Sequence, residues 1–522
     1  MKLSVPLSDD VIQLSTLDQQ AQRRYASVVL FFKLDHEGTS DSVFHHLKEG
    51  LAVTLSEVPD FASTVVTLPG SNRNELQLRL GPDSGASVKI VDYSTTQAAS
   101  WSYGNYEELA AKKFPVVSIP PEMLFGPLPA APGDTERGLP ALFIQFSLIE
   151  GGFILGIRWH HTVCDARGMN VMIQSWARQT KTSMLQGTRG LPVMPSEESR
   201  ERWQLSYGKR DTDIERLLLD DYVIDRAMRS PGSIASNTYQ PQCHLLDPPE
   251  ITNVPYRISV WYFSASALQS LRNALAIADT SSAAGLPEND PGAGGALGFT
   301  PVEAVSALVW KHLSIARRPQ MQLPSLAERK QEGQPQQQNE EDSDVTSLFS
   351  TRLNYRARMR PPLAEDFIGN INEPNARARL PLAEVCTAST PQSLATLARH
   401  IRAATEEGSA NSLLDNKAVR AFIGLVDTLP SVTDLTINWR KFPGPDLEFT
   451  DLSGLDTLRL DWGGRLGQPA CMRLVSRETG LVYLLPLDRD GGLEVQVQCE
   501  PEAFDRLKAD DLFAQYAALR YS

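Results

Sequence analysis

The apolar positions of this chain follow two periods, one typical of β-strands and one typical of α-helices. Continuous or alternating apolar runs predict strands over 26–34, 141–149, 153–159, 258–263 and 493–499. Helical spacing predicts helices over 171–178, 211–229 and 501–517. Strands and helices therefore alternate along most of the chain, which predicts an α/β fold.

A Glu-Gly-Gly turn separates the runs 141–149 and 153–159 and predicts a β-hairpin. The second run ends at His160 and His161, shortly before the predicted helix over 171–178. A side chain at such a junction can face a cleft rather than a core, and we expect this of His161. Because neighbouring strand residues point to opposite faces, His160 is expected to be structural.

Composition limits the class of protein. A chain of 522 residues with 42% hydrophobic residues is long enough for two large domains. The N-terminus lacks a signal-peptide pattern and no run reaches the eighteen apolar residues of a membrane span, so a cytoplasmic, soluble protein is expected. The five cysteines are scattered without a Cys-x-x-Cys pair, which predicts free thiols and no metal site. A formal charge of −13 disfavours nucleic acid as a partner.

The segment from His161 to Asp165 pairs a titratable base with a carboxylate four residues later. Histidine is largely neutral at pH 7 and can act as a general base. The structural alternative is a histidine that binds backbone groups and an aspartate that caps the next helix. Cys164 suggests a nucleophile, but an interior cysteine is usually a small apolar side chain, and we do not favour that role.

Several stretches, in the same order, resemble the BAHD family of acyl-CoA-dependent acyltransferases, and most closely its fungal members that acylate secondary metabolites such as trichothecene alcohols. These stretches are the His-x-x-x-Asp segment, 14–19, 47–62, 299–312, 354–363, 367–370 and 461–469. The resemblance implies a long helix and a following turn within 47–62, and a helix that opens at Thr300. The resemblance covers nearly the whole chain. It implies an acyltransferase with acyl-CoA as co-substrate, a small-molecule acceptor and no bound cofactor.

The resemblance also implies the architecture. It suggests two chloramphenicol-acetyltransferase-like α/β domains, with mixed sheets flanked by helices, joined by a crossover segment. We place these domains at 1–215 and 251–522, with the crossover at 216–250. The polar stretches near 280–298 and 320–344 cannot bury much apolar surface and are predicted to be flexible inserts. We expect a monomer.

The family pattern assigns roles to individual residues of this chain. It makes His161 the general base at the domain interface, in a solvent channel, and makes Asp165 a structural partner of Arg356 rather than a relay. Its second motif matches the loop that begins with Asp461, Gly463 and Gly464. This loop is expected to be a framework element, with its glycines in a tight turn and its aspartate in a buried pair.

Two further sites are expected, one from the family pattern and one from the charge of the protein. Asn438 and Trp439 match a segment near the active site of the family, where an amide or indole N–H can donate to the oxyanion. A Trp that only packs at the domain interface is the alternative. Because the protein is acidic and coenzyme A is anionic, a local basic patch or a helix N-terminus must bind it. Thr300 and Lys311 are the candidates.

One departure from the family concerns the position after Asp165, where glycine is usual and this chain has Ala166. A positive φ there would strain alanine. The leading hypothesis is transfer of an acyl group from acyl-CoA to a hydroxyl or amine. The alternatives are a carrier-protein thioester as donor, an intramolecular condensation or release enzyme, and a non-catalytic binding protein on the same fold.

Overall fold

The computed structural model of the protein describes most of the chain. The described residues are 2–5, 7–34, 40–94, 101–125, 138–186, 197–220, 222–224, 255–283, 298–321, 345–406, 414–438, 440, 443–464, 466–475 and 480–522. The predicted inserts near 280–298 and 320–344 lie largely outside them. Among these residues, no helix is long and apolar enough to cross a membrane.

The strands and helices follow one another through the described residues. The strands are β1 (Lys2–Ser4), β2 (Asp10–Gln13), β3 (Tyr25–Lys33), β4 (Thr64–Thr67), β5 (Leu76–Leu80), β6 (Gly85–Asp92), β7 (Leu139–Pro140), β8 (Leu142–Ile149), β9 (Gly152–His160), β10 (Tyr222–Ile224), β11 (Arg257–Phe263), β12 (Thr346–Thr351), β13 (Ala376–Pro381), β14 (Leu435–Ile437), β15 (Leu447–Asp451), β16 (Cys471–Leu474), β17 (Leu481–Leu484), β18 (Leu493–Cys499) and β19 (Ala518–Tyr521). The α-helices are α1 (Thr16–Gln20), α2 (Ser40–Glu57), α3 (Tyr106–Ala111), α4 (Pro121–Phe125), α5 (Ala166–Gln186), α6 (Thr212–Leu219), α7 (Ala265–Ala283), α8 (Pro301–Arg317), α9 (Leu382–Val385), α10 (Pro391–Thr405), α11 (Asn416–Asp427), α12 (Pro501–Lys508) and α13 (Asp511–Ala514).

The first large sheet has the order β1-β6-β8-β9-β3-β16. The predicted hairpin is confirmed, because β8 and β9 pair antiparallel from Leu142 opposite Trp159 to Ile149 opposite Gly152. Strand β9 is buried along its whole length and lies between β8 and β3, as its near-continuous apolar run requires. The strand that carries the histidines is therefore at the centre of the sheet, where it is held on both sides.

The core of the first sheet includes residues from the far end of the chain. Helices α2 and α5 pack against each other beside it, with Trp176 fully buried. Strand β16 pairs antiparallel with β3, and Trp462 and Met472 belong to the same apolar cluster. The second half of the chain therefore returns to complete the first domain.

The second large sheet has the order β13-β12-β15-β17-β18-β11-β19. Two adjacent strands of this sheet, β11 and β18, are the strands predicted over 258–263 and 493–499, and they pair antiparallel. Helices α7, α8 and α10 pack against one another over an apolar cluster that this sheet shares. The predicted fold class, two mixed α/β units, is confirmed.

Two helix predictions are wrong in extent. The helix predicted over 211–229 ends at Leu219, and Tyr222–Ile224 is strand β10, which pairs with β14. The ring of Tyr222 is buried and its hydroxyl donates to Glu373 Oε2 at 2.6 Å, contacts that the local sequence pattern does not indicate. The helix predicted over 501–517 is broken after Lys508, where Asp510 caps the short helix α13.

Candidate active site

The turn after β9 carries the candidate base. His161 follows the last paired residue of β9, and its backbone N–H donates to the Arg24 carbonyl oxygen at 2.9 Å. Helix α5 begins five residues later, at Ala166. Ala166 does not have a positive φ and is the first residue of α5, so alanine causes no strain at this position. His161 thus projects from a rigid strand end rather than from a long loop.

The two neighbouring histidines have different environments. His160 is fully buried, its Nδ1 lies 2.8 Å from Thr162 Oγ1, and the ring of Tyr25 meets it edge to face at 5.4 Å. His161 is half-buried, and its Nδ1 has no hydrogen-bond partner among the described residues. His160 is therefore part of the framework, whereas the imidazole of His161 has an enclosed ring nitrogen without a partner among the described residues.

Electrostatics favour the neutral form of His161. Burial, and then the positive charges of Arg24 and Arg352, lower the pKa of His161 to about 4. Asp165 acts in the opposite direction but is outweighed. At pH 7 the imidazole is consequently uncharged and has a lone pair available to accept a proton.

Asp165 has two structural roles at once. Its Oδ1 accepts from the backbone N–H of Gly168 at 2.9 Å and so caps α5. The guanidinium of Arg356 donates from Nη1 to Oδ2 and from Nη2 to Oδ1, both at 3.0 Å. Burial alone would raise the pKa of Asp165, but the charge and hydrogen bonds of Arg356 hold it below its ordinary value. Both interpretations of this residue, helix cap and arginine partner, describe the structure.

The carboxylate of Asp165 is not a relay to the imidazole. Its described hydrogen bonds go to Arg356 and to the backbone N–H groups of Gly168 and Ile371, with none to the ring of His161. The arrangement differs in this respect from a Ser-His-Asp triad, where the carboxylate orients the imidazole directly.

Residues without an assigned role in the sequence hold the backbone of the same turn. Asn370 Nδ2 donates to the carbonyl oxygen of His161 at 3.0 Å, and Arg202 Nη2 donates to that of Val163 at 2.7 Å. Asp18 accepts from both Asn370 and Arg202. Asp18 and Asn370 lie in stretches that carry the family resemblance, and nothing else in the sequence marks them as functional. Nothing in the sequence marks Arg202.

Cys164 is not placed to act as a nucleophile. It is fully buried in the first apolar cluster. Burial, together with the negative charge of Asp165, raises the pKa of its thiol well above the ordinary value. The thiolate that a nucleophilic cysteine needs is therefore strongly disfavoured.

The predicted oxyanion donors are only partly within the described residues. Asn438 is exposed and directly follows β14. Trp439 lies outside the described residues. Their role stays a prediction.

The contacts of Thr300 and Lys311 argue against coenzyme A binding. The Thr300 hydroxyl accepts from Glu303 N at 3.2 Å while the Glu303 carboxylate accepts from Thr300 N at 2.8 Å, so this helix start is capped by its own side chains. Lys311 is fully buried, and its Nζ donates to Val385 O at 3.1 Å and Thr387 Oγ1 at 3.0 Å. Neither residue offers a free group to a phosphate, and we do not retain them as cofactor ligands.

The loop of the second motif differs from the expectation in one respect. Asp461 pairs with Lys181 at 2.8 Å, but both side chains are about half exposed, so the predicted buried pair is wrong in its burial. The buried residue is Trp462, whose ring meets those of Trp176 and Phe32 edge to face.

Glycines let this loop approach α5. Gly463 has a φ of +104°, and a Cβ there would lie 2.9 Å from Met184 Sδ. Gly464 needs neither a positive φ nor close packing, because nothing would contact its Cβ within 4 Å. Only the first of these two glycines is therefore required by the conformation.

Comparison with known proteins gives a consistent result. A family model described as the Transferase family matches residues 1–450. The chain is 49% identical to the acyltransferase easC of Emericella nidulans over 520 residues, which cover 100% of this chain and 98% of the relative. It is also 49% identical to the acyltransferase cm3D of Cordyceps militaris, over 100% of this chain and 99% of the relative.

Solved structures share the fold at low sequence identity. TRI101 of F. graminearum, in complex with coenzyme A and T-2 mycotoxin, superimposes with a TM-score of 0.72 at 17% identity and covers 98% of this chain and 100% of its own. Vinorine synthase superimposes with a TM-score of 0.58 at 15% identity, over 98% of both chains.

Proposed function

The chain belongs to the Transferase family, and we propose that it is an acyl-CoA-dependent acyltransferase that acylates a hydroxyl or amine of a small secondary metabolite, with His161 as its general base. The observation that carries this proposal is the state of His161. It is neutral, half-buried and fixed at the end of a central strand. A proton acceptor of this kind is what acyl transfer requires.

The relatives support the reaction class and the co-substrate. Two proteins that match the whole chain at 49% identity are named acyltransferases. The TRI101 structures contain coenzyme A together with T-2 mycotoxin or deoxynivalenol. We infer that this chain likewise takes its acyl group from a coenzyme A thioester and transfers it to a small organic acceptor.

The proposed reaction proceeds by addition and elimination. The imidazole of His161 removes the proton from the acceptor hydroxyl or amine as the acceptor attacks the thioester carbonyl carbon. The tetrahedral intermediate carries a negative oxygen, and its collapse breaks the carbon–sulfur bond. The coenzyme A thiolate leaves and takes up the proton held by the imidazolium, which restores neutral His161.

The positive charges around His161 act both in the free enzyme and during formation of the tetrahedral intermediate. Arg24 and Arg352 disfavour a positive imidazolium in the free enzyme. Positive charges in the same region favour a negative oxygen as it develops. The imidazolium and the oxyanion form together, so the growing negative charge offsets part of the cost of protonating His161.

The direct test is mass spectrometry of the purified protein with acetyl-, malonyl- and octanoyl-CoA and a panel of alcohols and amines. We expect an acceptor whose mass grows by one acyl group, with release of one coenzyme A, and no product with His161→Ala. Acylation of an acceptor only when the acyl group is supplied as a carrier-protein thioester, and not as acyl-CoA, would favour the carrier-dependent alternative. Acyl-CoA or acceptor binding without turnover would favour a binding protein.

Several finer expectations stay predictions. They are the domain limits 1–215 and 251–522, a monomeric state, a cytoplasmic location and the absence of a bound cofactor. The described residues contain no group of three or more side chains placed to hold a metal ion.

A further inference from the structure

The backbone of the His161 turn is held by side chains from two separate parts of the chain. Asn370, after the 3-10 helix Arg356–Arg358, donates from Nδ2 to the carbonyl oxygen of His161 at 3.0 Å. Arg202, from the 3-10 helix Arg202–Leu205, donates from Nη2 to the carbonyl oxygen of Val163 at 2.7 Å. Among the described residues, the two carbonyl groups on either side of Thr162 thus accept from an amide and a guanidinium side chain rather than from backbone N–H groups.

Asp18 connects these two donors. Its Oδ1 accepts from the backbone N–H of Asn370 at 2.7 Å and from Asn370 Nδ2 at 3.0 Å. Its Oδ2 accepts from Arg202 Nη1 at 2.7 Å. Asp18 and Asn370 are fully buried and Arg202 is 2% exposed, so water screens none of these contacts. One carboxylate therefore fixes the direction of both donors.

The amount of charge placed here exceeds what helix capping needs. Asp18 also completes the capping box of α1 with Ser15, a role that a neutral Asn or Gln at the same position can partly fill. A second buried carboxylate, Asp60, pairs with Arg202 at 2.8 Å and with Arg200 at 3.0 Å. Buried charges are costly and seldom serve stability alone, which favours a role in fixing a specific geometry.

We propose that Asp18 is a positioning residue for His161, acting through the Asn370 amide and the Arg202 guanidinium on the two backbone carbonyls of the catalytic turn. This inference rests on the proposed role of His161 as the base. It predicts that the loss of Asp18 affects the chemical step more than substrate binding, because a base displaced by even 1 Å can lose about 100-fold in rate.

The test compares Asp18→Asn with a matched control, Glu500→Gln. Glu500 is as buried as Asp18 and pairs with the buried Arg317 at 3.1 Å, but this pair lies at the end of β18 in the second domain. Both variants replace a buried carboxylate by the amide of similar shape beside an arginine. A loss of stability alone should therefore be similar in the two.

The measured quantities are kcat and KM, well below each variant's melting temperature. The substrates are the acyl-CoA and acceptor found in the screen described above, with water as acceptor for octanoyl-CoA where no other is found. We expect Asp18→Asn to lower kcat about tenfold or more with KM within threefold, and Glu500→Gln to keep kcat within threefold. A kcat for Asp18→Asn within threefold of the parent overturns the proposal.

Asn370→Ala provides a second, milder test. It removes a neutral amide and leaves the Asp18–Arg202 pair intact, so it decides the question if Asp18→Asn does not fold. A tenfold loss of kcat supports the proposal, and a kcat within threefold of the parent overturns it. His161→Ala distinguishes failure of the proposed base from failure of the positioning role. If His161→Ala stays active, the proposed base is wrong. If His161→Ala is inactive and Asp18→Asn is active, only the positioning role of Asp18 is overturned.

Discussion

Arg356, from the second half of the chain, holds both carboxylate oxygens of Asp165, each at 3.0 Å, across a separation of 191 residues. The same guanidinium donates to the carbonyl oxygens of Phe367 and Gly369 at 2.9 and 3.2 Å. The residue that ends the turn after β9 is therefore tied directly to the second half of the chain. The correct docking of the two halves is a condition for the geometry of this turn.

This pair predicts a loss of stability from Asp165→Ala. The variant leaves the buried Arg356 without its carboxylate and removes the cap of α5, a change that typically costs about 3 to 5 kcal/mol of unfolding free energy. Chemical denaturation followed by circular dichroism measures it. Asp165→Asn, which keeps the cap acceptor but loses the charge, should fall between the parent and the alanine variant. An unchanged unfolding free energy with lost activity would instead indicate a direct catalytic role.

The loop that matches the second family motif gives a prediction about packing. Trp462→Ala should cost about 3 to 5 kcal/mol, because it leaves a cavity between Trp176 and Phe32 in the first core. Asp461→Asn should cost less than about 1 kcal/mol, since its pair with Lys181 is half exposed. Thermal and denaturant unfolding of the two variants measure the difference. A larger cost for Asp461→Asn than for Trp462→Ala would contradict the assignment of this loop's role to its tryptophan.

Lys311 offers a test of where coenzyme A does not bind. Because its ammonium is enclosed by Val385 and Thr387, Lys311→Met should leave the affinity for coenzyme A within about twofold in calorimetric titration. Burial lowers the pKa of Lys311 to about 8, below its unfolded value of about 10.4. The unfolded chain therefore binds more protons between these values, and the stability of the parent relative to Lys311→Met should rise from pH 8 to pH 10. A tenfold loss of affinity of Lys311→Met for coenzyme A would support Lys311 as a coenzyme A ligand.

The sequence predicted the elements that have strong local signals. The hairpin of β8 and β9 and the position of His161 follow from periodicity and turn residues, whereas the helix opening at Thr300 was predicted from the family resemblance. The break after Lys508 was not predicted, because Asp510 as a cap for a four-residue helix is a weak local signal.

Contacts between distant parts of the chain were beyond the reach of local patterns. Nothing near Arg202 indicates that it reaches Val163, and nothing near Lys311 indicates that its ammonium turns inward. The half-exposed state of Asp461 also depends on how the loop lies on α5. Such features are set by tertiary packing, which a single sequence does not reveal.

The final prediction concerns the pH dependence of activity. Since the pKa of His161 is about 4 in the free enzyme, kcat/KM should be nearly constant from pH 6 to 8 and should fall only as the pH approaches 4, where the imidazole becomes protonated. Arg24 is one of the two cations that lower this pKa, so Arg24→Gln should move the acidic limb to higher pH. Arg399→Gln, a change at a half-exposed arginine paired with Asp279, is the control and should leave the limb in place. The pH profile of kcat/KM, measured where each variant is folded, checks both. An acidic limb near 6.5 in the parent, or a limb that Arg24→Gln does not move, would show that the charges around His161 do not set its protonation in the way the structure indicates.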